Sequence, residues 1–84
     1  MPLPTEPATL TVGEIEELNK QLSTMRHDVN NHLSLIMAAV ELVRRKPEAL
    51  ERMVNTLVEQ PGRITEAMIK FSAHFDRTLR IKRD

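Results

Sequence analysis

Met25-Arg26-His27-Asp28-Val29-Asn30-Asn31-His32-Leu33-Ser34-Leu35-Ile36 sits inside a long apolar repeat whose phase separates its polar residues into two groups. Counting by seven from Ile15 gives Leu22, Val29, Ile36 and Val43, all apolar. The companion row is Leu18, Met25, His32 and Ala39. The two rows form an a/d seam with one polar interruption, His32, which points into it. His27 takes the f position, directly away from the seam. Asn31 is only about 40° further round a helix of roughly 3.6 residues per turn. Asp28 adjoins His27 in sequence. An exposed imidazole with a neighbouring carboxylate, and an amide one turn on, makes a poor core and a good reactive face.

Outward from this stretch, the spacing predicts two helices. Thr11-Val12-Gly13-Glu14 reads as a capping box, with Leu10 and Ile15 at the flanking apolar positions. The first helix is therefore expected over about 12–45, and Arg44, Arg45 and Lys46 suit the negative end of its dipole. Lys46-Pro47 ends it, because the residue before proline is driven out of the α region. Pro47 suits the first position of a second helix, expected over about 47–82. Its apolar rows are Leu50, Leu57, Ile64 and Phe71, with Met53 and Ala67, and Val54, Met68 and Phe75, alongside. Pro61-Gly62 interrupts them and is expected to kink or break the helix. Leu57 and Ile64 stay in phase across it, which favours one kinked helix over two. Residues 1–10, with Pro2, Pro4 and Pro7, are expected to be a flexible arm, leaving 11–84 as the helical domain.

Composition narrows the function. The chain has 84 residues, no cysteine, two glycines and equal numbers of basic and acidic residues, 12 each. Disulfides, thiolate metal sites, glycine-rich phosphate loops and a charge-driven nucleic-acid surface are thereby disfavoured. The longest uncharged run, Val29 to Val40, is too short and too polar to span a bilayer, and Met1-Pro2-Leu3-Pro4 is unlike a signal peptide. A cytoplasmic protein without a membrane segment is the default.

His27-Asp28-Val29-Asn30-Asn31-His32-Leu33 resembles the H-box, H-(D/E)-x-x-(N/T)-x-L, of the dimerisation and histidine-phosphotransfer domain of two-component histidine kinases. The longer string H-D-x-x-N-x-L-x-L-I is closer to the sporulation phosphotransferases and citrate-type sensor kinases. In the commonest kinase form proline follows the Asn or Thr, where this chain has His32. The resemblance spans roughly residues 14–80, and its specific part is the H-box alone.

The resemblance implies that His27 is the phosphoacceptor, that Asp28 is its acid/base partner, and that Asn31 positions a water or the phosphoryl group during dephosphorylation. Ser34, Ala38 and Glu41 fall within about 40° of His27 and are expected to form the docking face for a response-regulator receiver. The implied function is a phosphorelay, with His27 exchanging a phosphoryl group with a receiver aspartate. This makes the chain either a histidine phosphotransferase or the phosphoacceptor part of a kinase. The chain lacks the Gly-rich and Asn-rich boxes of a kinase ATP-binding domain, so the phosphoryl group is expected from such a domain in trans or from a continuation after Asp84. No cofactor is expected in the chain itself, and Mg2+ belongs to the partner receiver or kinase domain.

A hairpin of two helices cannot cover both its faces. From Leu33 onward the stripe widens through Leu33, Val40, Leu35 and Leu42, which points to an all-α hairpin dimerising into a four-helix bundle. Glu14, Glu16 and Glu17 are expected beside Arg77, Arg80, Lys82 and Arg83. His32 and His74 read as core histidines. A zinc site joining His27 and His32 is disfavoured, because residues five apart do not share a helix face. The reading from another class is a non-enzymatic helical adaptor that dimerises or binds partner helices.

Overall fold

The computed structural model describes residues 7–81, all of whose regular structure is helical. Helix α1 runs Val12–Arg45 and helix α2 runs Leu50–Leu79, joined by a 3-10 turn at Pro47–Ala49. The helices pack antiparallel: Gln21 and Met25 meet Phe71 and Ala67, while His32 meets Gln60. The hairpin measures 57 × 28 × 13 Å, so its thinnest dimension is that of a single layer of helices.

The start of α1 is the expected capping box. Thr11 Oγ1 accepts from the Glu14 N–H at 3.0 Å, and Glu14 Oε1 accepts from the Thr11 N–H at 3.0 Å. At its end Lys46 leaves the α region at φ −133°, as a residue before proline must, while its N–H still bonds Leu42 O at 2.8 Å. The second helix departs from expectation at its start. Pro47, Glu48 and Ala49 form a tighter 3-10 turn, closed by Ala49 N–H on Lys46 O at 2.8 Å, and α geometry begins only at Leu50. Ala49 is fully buried there, which a larger side chain would not allow.

Proline does not break α2. The helix is continuous through Pro61, and Thr65 Oγ1 donates to Pro61 O at 3.1 Å. It stops before the expected limit near residue 82, at Leu79. Arg80 turns left-handed at φ 55°, with its N–H on Arg77 O at 3.2 Å and the Ile81 N–H on Asp76 O at 2.8 Å. That bond pair is the Schellman stop, made here without glycine. The expected ion pairs across the open end do not form: Glu14, Glu16 and Glu17 pair with neither Arg77 nor Arg80 among the described residues. Lys82 and Arg83 lie outside the described residues, as does residues 1–6 of the expected arm. The ion pair that does appear is local, Glu41 with Arg44 at 3.6 Å on an exposed face.

Burial within the hairpin is thin. Ala39 and Ala49 are its buried apolar residues, and the seam residues Leu22, Met25, Val29, Ile36 and Val43 are only partly covered. One set of large apolar residues open to solvent is Leu33, Met37 and Val40 on α1, and its counterpart on α2 is Leu50, Val54, Val58 and Met68, while Leu35 on α1 and Ile69 on α2 are exposed outside these two sets. At about 100° per residue, each set is rotated roughly 90° from the strip facing the other helix. The rotation has the same sense along each chain direction. Because the helices are antiparallel, both sets fall on the same side of the hairpin.

Continuity of α2 gives a direct expectation. Pro61→Ala restores an N–H for the Leu57 carbonyl and should stabilise the helix by about 1–3 kcal/mol, read as a raised midpoint in a thermal melt. No change or a loss would mean that the proline is required where it stands.

Candidate functional site

Helix α1 carries the motif in its middle, far from either frayed end, so its side-chain directions follow from helix phase. His27 and Asn31 are exposed, together with Ser34, Ala38 and Glu41 on the same strip. That strip lies roughly 115–175° from the direction of α2, with Asn31 nearest to it. Asn31 leans about 40° from His27 toward the side opposite the open apolar face. Asp28 differs from its neighbours. It is half-buried and points between the helices, where it lines two adjoining shallow clefts. One is formed with Gln21, Thr24, Met25, Ala67, Lys70 and Phe71, the other with His32, Arg63, Glu66, Ala67 and Lys70.

The structure therefore brings His27, Asn31, Ser34, Ala38 and Glu41 onto one outer strip and sets Asp28 at its edge. Asp28 shares its clefts with Arg63, Lys70 and the anionic Glu66 of α2 without an ion pair to any of them, and His27 forms no hydrogen bond among the described residues. The bare outer imidazole is reachable from solvent, which a nucleophile serving another protein must be. Its neighbour Asp28 is about 100° round the helix, turned toward the clefts between the helices, and makes no hydrogen bond to the imidazole. No group of three or more His, Cys, Asp or Glu residues capable of holding a metal ion occurs among the described residues.

His32 is half-buried on the seam, as its phase requires, and its Nδ1 lies 2.6 Å from Gln60 Oε1. With Oε1 as the acceptor, Nδ1 carries the proton and donates. Gln60 is 6% exposed and is the buried polar residue among those described. Sequence reasoning assigned it no role. The signal was present: Met53, Gln60 and Ala67 are spaced by seven, so Gln60 interrupts its row as His32 interrupts Met25 and Ala39. Arg63, Glu66 and Lys70 were missed too, since their nearness to Asp28 depends on how the antiparallel helices align. His74 is half-buried on the seam side of α2, in keeping with a core role.

No protein-family model, curated protein or solved structure matches this chain. No helix among the described residues is long and apolar enough to cross a membrane. What the site does must be argued from its own residues.

The His32–Gln60 pair predicts an asymmetric mutational response. Gln60→Leu or His32→Leu alone strands the other polar group and should cost about 1–3 kcal/mol. The double replacement removes both needs and should cost far less than the sum. A double-mutant cycle by denaturant melts measures the difference, and additive losses would show that the bond is not formed in solution.

Proposed function

We propose that this chain is a phosphorelay histidine domain: two hairpins pair into a four-helix bundle, and His27 on each exchanges a phosphoryl group with the aspartate of a response-regulator receiver. The observation that carries it is the division of α1 into sectors. The H-box histidine and asparagine point to solvent, the acidic residue stands at their edge, and His32 of the same motif points inward. A neutral imidazole at cytoplasmic pH is nucleophilic through its unprotonated nitrogen. Attack on an aspartyl phosphate forms the N–P bond as the acyl phosphate O–P bond breaks, leaving the receiver carboxylate. Asp28 can hold the other ring nitrogen, and Asn31 can orient the phosphoryl group or a water.

Pairing of two copies is supported by the apolar residues that the hairpin leaves open. Leu33, Met37 and Val40 lie on the same side as Leu50, Val54 and Val58, with Met37 and Val58 69% and 71% exposed. A symmetric partner offers the same face, and a four-helix bundle covers all of them at once. Leu33→Asp tests this, because Leu33 is largely exposed in one hairpin and a charge there costs little unless a second copy covers it. The variant should dissociate at least about 100-fold more readily than the parent by sedimentation equilibrium. A parent that is a folded monomer at low micromolar concentration would end the bundle proposal.

Phosphotransfer is tested with a kinase ATP-binding domain and labelled ATP, or with a phosphorylated receiver. Acid-labile label should appear on the parent and vanish in His27→Gln, while helicity and dimer mass stay constant, since an exposed outer position contributes little to packing. Asn31→Ala should accept label and lose it more slowly. Label retained in His27→Gln would leave the helical adaptor as the function.

A further inference from the structure

We infer that residues 60–62 form a hinge in α2, held closed by the His32–Gln60 bond, and that bending there moves the wall of the cleft beside Asp28. Independent features meet at this point. Pro61 has no N–H, so the carbonyl of Leu57 lacks its intrahelical donor. Thr65 Oγ1 bonds back to Pro61 O at 3.1 Å, a contact of the kind that bends helices. Gly62 follows, and a Cβ there would meet nothing within 4 Å. Close packing therefore does not require glycine at 62, and what glycine contributes is backbone freedom. Gln60, immediately before the proline, is 6% exposed and holds His32 Nδ1 at 2.6 Å. The weakest point of α2 and its hydrogen bond to α1 are thus adjacent.

What lies beyond the hinge gives it a consequence. Arg63, Glu66, Ala67 and Lys70 follow Pro61 and form the α2 side of the cleft whose α1 side is Asp28 and His32. The His32–Gln60 contact sets His27 level with Thr65, so the hinge lies only about 6 Å along the axis from His27. With Gln60 held by His32 these residues stay in place beside Asp28, and bending at Pro61 once the bond opens swings them relative to it. Release of Gln60 frees both halves. The bearing of this motion on phosphotransfer rests on the assignment of His27 above; the hinge itself does not.

Amide hydrogen exchange on the full chain tests the hinge without any phosphorylation, so its failure is distinct from failure of the phosphorelay. Parent, Pro61→Ala, His32→Leu and the double variant are compared over two segments of α2, Gly62–Thr65 and Met53–Leu57. His32→Leu should speed exchange in Gly62–Thr65 by about ten-fold or more over any change in Met53–Leu57. Adding Pro61→Ala should return that segment to the parent rate. If His32→Leu does not fold, Pro61→Ala alone decides: slower exchange confined to Gly62–Thr65 supports the hinge. Equal changes in both segments, no change, or failure of Pro61→Ala to restore protection overturns it.

Discussion

Two helices laid side by side bury one strip of each, and that geometric limit shapes everything else in this protein. One strip of α1 is used against α2, leaving the rest of its surface uncovered by the hairpin. Roughly 90° round, Leu33, Met37 and Val40 face outward with their counterparts on α2. On the far side stands His27 with Asn31. A single helix thus presents three sectors, one packed against α2, one apolar and open, and one outer strip that carries His27 and Asn31. The antiparallel arrangement aligns the apolar sectors on one side, which keeps the His27 strip clear of them.

Within the hairpin seam, apolar contacts alone would not choose a register well. The rows repeat every seven residues, so sliding one helix by a heptad would still match apolar with apolar. His32 and Gln60 remove that degeneracy. Each interrupts the apolar residues of its own row, and each needs the other once partly buried. A slipped hairpin would leave both unpaired at a cost of about 1–3 kcal/mol each. The resulting alignment sets Arg63, Glu66 and Lys70 across from Asp28.

Where local rules operate, the chain was legible. The capping box at Thr11, the end of α1 at Arg45 and the outward phase of His27 follow from residues within one or two turns. The direction of His32 followed from phase as well. Its partner did not, because phase identifies a face but not the level at which two faces meet. Gln60 stood in a row read only for its apolar members. Arg80 carried no stop signal either, since the left-handed stop there is made by a residue type that rarely adopts it. The 3-10 turn at Pro47 was missed because proline suits the first position of either helix type. Continuity through Pro61 was favoured by the Leu57–Ile64 phase, which a real turn would have shifted.

An adaptor accounts for the open apolar side but not for the outer strip of α1. Outer positions of a surface helix are ordinarily charged, as Glu16, Glu17 and Lys20 are before the motif and Glu41, Arg44 and Arg45 after it. Between them Ser23, His27, Asn30, Asn31, Ser34 and Ala38 are outward and uncharged, with exposed Arg26 and the open apolar Met37 along one edge. That neutral strip is about 22 Å long and carries the imidazole near one end. Interface centres are depleted of charge because each charge must be desolvated when a partner arrives. A surface with small neutral side chains lets another protein approach the helix closely at the level of His27. The charged residues Asp28, Arg63, Glu66 and Lys70 stand at its edge, where a polar rim can set orientation at little desolvation cost. A neutral contact patch around one exposed imidazole is what the proposed transfer between two proteins requires.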